Sequence, residues 1–278
     1  MKPRYSFSSK KSRRATESPK MLKQRQKYPI LVEKIIGTSD IILEVLDARF
    51  PEKTQNFGIE KEIKKRKKKI IYVLNKSDLV PKINKSKIEK LTPKIIVSCK
   101  SRRGIKELRN KIKEISKKVK PIEEQIVVGI IGYPNTGKSS LINSLIGKNS
   151  AGTGADAGFT KGIQKLRLTS EIILLDTPGV IPKEEYSGTE IDKIARHTIV
   201  GGRSSSQVKD PEMVIANLIK EYPNFLENHY KLKSKADAEE ILNELGKKWN
   251  YLKKGKEINF DRTARRILKE WQSGVIRV

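Results

Sequence analysis

Cysteine is almost missing from this chain: Cys99 stands alone among 278 residues, so no disulfide can form within it. No apolar secretory stretch follows Met1, and the combination points to a reducing, cytoplasmic setting. Long apolar runs are lacking as well. The longest candidates, Ile126 to Ile131 and Ile172 to Leu175, have strand length, whereas a bilayer span needs about 20 residues, so an integral membrane protein is not expected. Acidic residues are in short supply: 32 Asp and Glu face 60 Lys and Arg, a formal net charge of +28. Such an excess calls for a polyanionic partner.

The charge is unevenly spread. Residues 1–27 carry a net +9, 28–204 a net +15 and 205–278 a net +4. The first segment has too few apolar residues to offset the entropy of ordering, so it reads as a flexible basic arm. Lys64-Lys65-Arg66-Lys67-Lys68-Lys69 forms a second block, which is either a solvated loop or a contact to a phosphate backbone. Three separate basic features favour nucleic acid over an acidic membrane, because no amphipathic basic helix with large aromatics accompanies the arm.

Between residues 28 and 204, β-branched runs alternate with helical spacing. Strands are expected at Ile41 to Leu46, Ile70 to Leu74, Ile95 to Ser98, Ile126 to Ile131, Lys165 to Leu168 and Ile172 to Leu175. Helices are expected at Lys27 to Thr38, Gly58 to Lys67, Lys85 to Leu91, Gly104 to Lys118 and Lys138 to Ile146. Continuous apolar strands separated by helices predict a doubly wound α/β domain over 28–204. Gly, Pro and Ser punctuation then leads to strand-poor sequence, so a small helical domain is expected over 205–278.

The chemistry-bearing residues follow strands. Gly132-Tyr-Pro-Asn-Thr-Gly137-Lys138-Ser139-Ser140 fits G-x-x-x-x-G-K-[ST] between a strand and a helix. Its backbone N–H groups, those of Asn135, Thr136 and Gly137 among them, suit phosphate oxygens. Lys138 would reach the β and γ phosphates and Ser139 would offer a hydroxyl to Mg²⁺. Asp176-Thr-Pro-Gly179 ends a later strand, where Asp176 would hold the Mg²⁺ hydration shell and the Gly179 N–H would approach the γ phosphate. Thr160, on the loop Gly158 to Gly162, is a further candidate for Mg²⁺. Lys138, Thr160 and Gly179 are thus the candidate catalytic groups.

Base choice falls to Asn75-Lys76-Ser77-Asp78. Asp78 would accept from the ring N–H and exocyclic amine of guanine, Lys76 would cover the base plane with its apolar stem, and Asn75 would tie this loop to the phosphate loop. Backbone N–H groups of Ser98-Cys99-Lys100 would face the guanine oxygen. GTP is therefore expected over ATP.

In an ordinary GTPase the phosphate loop comes first and the base-reading loop last; here the order is rotated. That order, with Asp47-Ala48-Arg49-Phe50-Pro51 after the first strand, resembles the circularly permuted GTPases of the YlqF, or ribosome-biogenesis GTPase A, family. The resemblance runs from about Tyr28 onward and takes in Phe225 to Tyr230 and Glu257 to Thr263. It implies GTP hydrolysis coupled to large-subunit maturation, with a C-terminal helical domain on rRNA. Asn135 matches the asparagine that in potassium-stimulated relatives helps hold a monovalent cation, which makes K⁺ an additional candidate beside GTP and Mg²⁺. Val180 stands where Ras-like enzymes place a water-orienting glutamine, so hydrolysis is expected to be slow without a partner. His197 and His229 are read as structural.

Arg262, Arg265, Arg266 and Lys269 recur at i, i+3, i+4 and i+7, opposite Ala264, Ile267, Leu268 and Trp271. This face is either a solvated helix surface or a grip on rRNA. The combined expectation is a monomeric assembly GTPase that binds the large subunit with GTP and leaves after hydrolysis. An RNA-binding scaffold with a vestigial nucleotide site is the alternative.

Overall fold

The six expected strands form one sheet in the computed structural model, which describes residues 30–80, 85–147, 164–177, 198–201, 204–232 and 237–277. The strands are β1 (Ile41–Asp47), β2 (Lys69–Asn75), β3 (Lys94–Ile96), β4 (Ile126–Gly132), β5 (Gln164–Arg167) and β6 (Ile172–Asp176). Their order across the sheet is β3-β2-β1-β4-β6-β5. The first four and β6 run parallel, while β5 pairs antiparallel with β6 at the edge as half of a hairpin. The expected arm, the loop holding Thr160, Gly179, Val180 and His197 lie outside the described residues.

Both faces of the sheet are covered because successive side chains of a strand point to opposite sides. Ile41, Leu43 and Val45 face α5 (Ile105–Ser116) and α6 (Lys138–Ile146), packing on Leu108, Ile112, Leu141 and Leu145. Ile42 faces the other way, toward Val32, Ile35 and Ile36 of α1 (residues 30–38) and Ile63 of α3 (Phe57–Lys65). Each such side chain taken from water contributes about 1.5–3 kcal/mol. Two short helices, α2 (Pro51–Thr54) and α4 (Lys85–Ile88), complete this part. The one-turn α2 interrupts what the sequence shows only as a loop, with Pro51 in its first turn where the missing N–H costs nothing.

The long connection between α5 and β4 is pinned by Asp40. Its carboxylate accepts from the Ile122 N–H at 3.1 Å and the Val127 N–H at 2.8 Å, fixing the entry to β4 beside the start of β1.

Among the described residues the C-terminal part holds the helices α7 (Pro211–Glu221), α8 (Phe225–Tyr230), α9 (Ala238–Lys248) and α10 (Phe260–Ser273). Asp210, Asp237 and Asn259 accept from backbone N–H groups at the starts of α7, α9 and α10. Their apolar faces meet around Trp271, and the same cluster includes Ile199, Val200, Phe50 and Tyr133. The helical core therefore extends before residue 205 and incorporates two side chains of the sheet domain.

One buried polar feature belongs to the frame rather than the loops. Glu44, fully buried on β1, accepts from the Asn56 N–H at 2.9 Å through Oε1, while its Oε2 has no well-formed partner among the described residues. Burial first, and the neighbouring Glu60 second, raise the Glu44 carboxyl well above the usual carboxylate range. The folded state thus keeps this proton longer than the unfolded chain, so its contribution is complete in acid and is lost as pH rises. Glu44→Gln is expected to match the parent in denaturant melts near pH 4.5 and to be the more stable of the two near pH 8. Equal stabilities at both pH values would remove this account.

Candidate guanine-nucleotide site

Helix α3 follows β1 on one face of the sheet and α6 follows β4 on the other, so the chain leaves these adjacent strands in opposite directions. The carboxyl ends of such a pair open a crevice suited to ligands. Asp47 and Asn75 end β1 and β2 in direct register, and Gly132 ends β4 opposite Val45, so the expected loops emerge side by side.

Asn75 joins them. Its amide donates to the Thr136 carbonyl at 2.9 Å and accepts from the Cys99 N–H at 3.3 Å, linking the 75–78, 98–100 and 132–139 loops. Gly137 is required by this approach: with φ at +93°, a Cβ there would sit 2.3 Å from Asn75 Nδ2. The Asp78 carboxylate accepts from the Ser98 hydroxyl at 2.7 Å, which restrains its orientation. Lys76, at φ +61°, extends Nζ to Asp47 Oδ2 at 2.8 Å.

The Ser98 N–H differs from expectation. It donates to Arg103 O at 3.0 Å, and the Cys99 N–H is taken by Asn75, so Lys100 is left to offer a backbone donor to a base oxygen. A tight turn within 98–103, invisible in the sequence pattern, turns the first donor away. Burial pushes the Cys99 thiol up to about 11, which leaves it unreactive near neutral pH.

In the 132–139 loop, Lys138 is buried and donates to the carbonyls of Gly132 at 3.1 Å and Tyr133 at 3.0 Å. Burial lowers its amine to about 8, opposed by Asp176 and assisted by Lys76. The Ser139 hydroxyl donates to Asp176 Oδ2 at 3.0 Å, while Asp176 Oδ1 is buried without a well-formed partner among the described residues. Burial raises the Asp176 carboxyl against the pull of Ser139, Lys138 and the Thr177 backbone. A hydroxyl and an under-satisfied carboxylate oxygen form the all-oxygen donor set that Mg²⁺ accepts, and they fit that ion. Thr136 is buried, with its hydroxyl on Tyr133 O at 2.9 Å. Ser140 lies in the first turn of α6, and Asn135 donates its amide to Gly201 O at 2.7 Å.

The basic residues of α10 separate. Arg262 lies 4.1 Å from the Tyr251 ring centroid and Arg266 4.1 Å from that of Trp249, both on the exposed face with Lys269. Arg265 turns inward instead, donating to the carbonyls of Ser205, Ser206 and Val208 and pairing with Asp261. It clamps the connection into the helical part, which removes it from the solvent-facing set. In the Lys64–Lys69 block, Lys64 and Arg66 have acidic partners, whereas Lys65, Lys67 and Lys69 are exposed.

A phosphate-loop motif on this sheet, with a base-loop motif earlier in the chain, defines the class as a GTP-binding protein of permuted motif order. Residues 127–248 match the family described as 50S ribosome-binding GTPase. The chain is 42% identical over 257 residues to an uncharacterized GTP-binding protein of Methanocaldococcus jannaschii, covering 90% of this chain and 66% of the relative. It is 35% identical to nucleolar GTP-binding protein 2 of Neurospora crassa, covering 87% of this chain and 40% of that one. The chain thus spans under two thirds of these relatives' length. GNP-bound YlqF from T. maritima superposes with a TM-score of 0.62 at 24% identity, over 89% of this chain and 94% of that one. The chain is thus homologous to these GTP-binding proteins and shares the fold of YlqF.

The charge state of Lys138 gives a stability prediction. Its folded pKa lies below that of the unfolded chain, so protonation of the buried amine is a penalty that fades between about pH 8 and 10.5. Lys138→Met is expected to stabilise the nucleotide-free protein by about 1–2 kcal/mol at pH 7, with the advantage shrinking toward pH 10. Chemical denaturation across that range measures it; a variant less stable at pH 7 would contradict it.

Proposed function

We propose that the protein binds and hydrolyses GTP, and that it does so as an assembly factor on the large ribosomal subunit. The observation that supports this most strongly is the Asn75 bridge, because a base-reading loop and a phosphate loop serve one nucleotide only if they are held together. Asn75, Lys76 and Asp78 would read guanine, with Lys100 supplying a backbone donor. Gly137, Lys138, Ser139 and Ser140 would surround the phosphates, Lys138 leaving the Gly132 and Tyr133 carbonyls for the β and γ oxygens. Ser139 and Asp176 would hold Mg²⁺, whose role when bound is to neutralise charge on the phosphates. Thr160 and Gly179 would complete the γ-phosphate side, and Asn135 would release Gly201 if it holds K⁺.

Val180 is apolar and cannot orient a water, so hydrolysis would be slow until the ribosomal partner supplies the missing group. Arg262 and Arg266, stacked on Tyr251 and Trp249, would grip rRNA backbone together with Lys269 and the basic arm. GTP would favour the bound state and hydrolysis would release it, in the cytoplasm, with the protein acting as a monomer.

Single-turnover hydrolysis with and without large subunits tests the reading. Stimulation of at least about tenfold is expected, abolished by Lys138→Ala. Asp78→Asn should weaken GTP binding by about 10²-fold and improve binding of xanthosine triphosphate. GTP binding without stimulation, with Lys138→Ala indifferent, would favour a scaffold whose nucleotide site is vestigial.

A further inference from the structure

The loop that would read guanine and the helical core meet at one fully buried carboxylate. Asp47 Oδ2 accepts from Lys76 Nζ at 2.8 Å and from Arg49 Nη2 at 2.8 Å; Oδ1 accepts from Arg49 Nε and the Arg49 N–H, both at 3.0 Å. Arg49 therefore fixes the orientation of the carboxylate on which Lys76 rests. The same guanidinium also reaches the helical part, where its Nη1 donates at 3.0 Å to the Trp271 carbonyl in the last turn of α10. That carbonyl also accepts from the Gly274 N–H at 3.1 Å, and the helix end is negative, so a cation is well placed as its second donor.

Neighbouring contacts reinforce this bridge. Phe50 stacks on Trp271 with ring centroids 5.8 Å apart and lies 6.3 Å from Tyr222. Lys53 pairs with Glu221 on α7. The Ala48 N–H donates to Asn75 O at 2.8 Å, so the Asp47–Phe50 turn is stitched to the strand end that starts the base-reading loop. At the far end of that loop, Leu79 fills the space over Gly274, where a Cβ would lie 2.5 Å from the leucine methyl carbons and φ is +77°. The C-terminal end of α10 thus meets one flank of Lys76–Asp78 directly, at Leu79, and reaches the other through the Asp47–Phe50 turn.

We propose that Asp47 and Arg49 are positioning residues through which docking of the terminal helix sets the grip of Lys76 on guanine. The inference rests on the guanine reading above and adds a route that does not pass through the γ-phosphate loops. When α10 is seated, Arg49 is held at both ends, Asp47 keeps one orientation and the Lys76 stem lies over the base. When α10 lifts, Arg49 loses its carbonyl and Phe50 its aromatic neighbours, Asp47 is freed to turn, and guanine binding weakens. Linkage makes the effect reciprocal, so a bound guanine nucleotide holds the helix down. A ligand surface that engaged α10 in its lifted position would thereby promote nucleotide release.

The test uses the full chain and a fluorescent GDP analogue. Arg49→Ala and Phe50→Leu are each expected to weaken GDP binding three- to tenfold, with Arg49→Lys intermediate because lysine cannot span two oxygens and a carbonyl. Combined with Lys76→Met, neither substitution should cost further affinity, whereas a purely structural role would subtract the same factor in both backgrounds. In a Trp249→Phe background, GDP should shift the emission of Trp271, and Arg49→Ala should abolish that shift. GDP affinity within twofold of the parent in Arg49→Ala or Phe50→Leu, or equal losses with and without Lys76, would overturn the proposal. If Arg49→Ala does not fold, Arg49→Lys and Phe50→Leu decide by the same criteria. A parent chain that fails to bind GDP would instead bring down the guanine reading.

Discussion

One side-chain amide holds the candidate site together. Asn75 uses its donor on the loop after β4 and its acceptor on the turn after β3, from a strand end that pairs with β1. Each bond alone contributes on the order of 1 kcal/mol. Their geometric effect is larger, because three loops that approach the crevice from separate strands acquire one fixed spacing. Gly137 is the complementary requirement: only a residue without Cβ lets the amide come this close while the backbone takes a left-handed turn into α6. The residue types at both positions are thus demanded by one contact.

Rotating the motif order leaves this contact intact because the sheet depends on lateral neighbours and not on which strand is made first. What rotation changes is the wiring around the site. The base-reading side now comes first, and its leading strand delivers Asp47, Arg49 and Phe50 to the crevice edge. The phosphate side comes later and supplies Tyr133, which also enters the helical core. Residues 198–201 lie between the two parts, with Asn135 on Gly201 O, and Trp271 and Gln272 on the carbonyls of Ile199 and Thr198. A helical layer with its own separate core would move without consequence for the sheet domain. Here the central Trp271 touches both, so motion of the helices changes contacts of residues that border the crevice.

The strands, the helices covering them and the loop motifs were legible in the sequence because each has a local signature. Apolar runs of strand length, helical spacing and glycine-bounded phosphate patterns depend on residues close in the chain. Strand limits shifted by one or two residues where polar ends such as Asp47, Asn75 and Asp176 continue the hydrogen-bond ladder without being apolar. The basic face of α10 was half legible. Periodicity assigns Arg265 to the same stripe as Arg262 and Lys269, and only the path of residues 205–208 across the helix reveals why it turns inward. The Ser98 N–H and the Arg49–Trp271 bridge were illegible for a similar reason. Each is decided by a partner whose position depends on the completed fold, and 222 residues separate the two ends of the latter bond.

The two charged side chains at the phosphate loop explain why such a site is coupled to stability. Lys138 and Asp176 attract one another, yet burial raises the acid and lowers the base, and the bonds each makes are to uncharged neighbours, two carbonyls for the amine and one serine hydroxyl for the carboxylate, whose Oδ1 stays under-satisfied. Desolvation exceeds the mutual attraction, so the pair is an electrostatic cost to the frame and the surrounding apolar core must offset it. A polyphosphate with a hard cation would reverse the balance by giving the amine an anionic partner and the carboxylate a cationic one. On the proposed reading, ligand binding therefore stabilises the fold by more than its new contacts alone suggest, since it also relieves a penalty already present. The same reasoning distinguishes this pair from Asp47, which is equally buried but already has two cations. Lys76 and Arg49 outweigh its burial and hold it well below the usual carboxylate range, so it needs no ligand to be charged and is suited to serve as a fixed support.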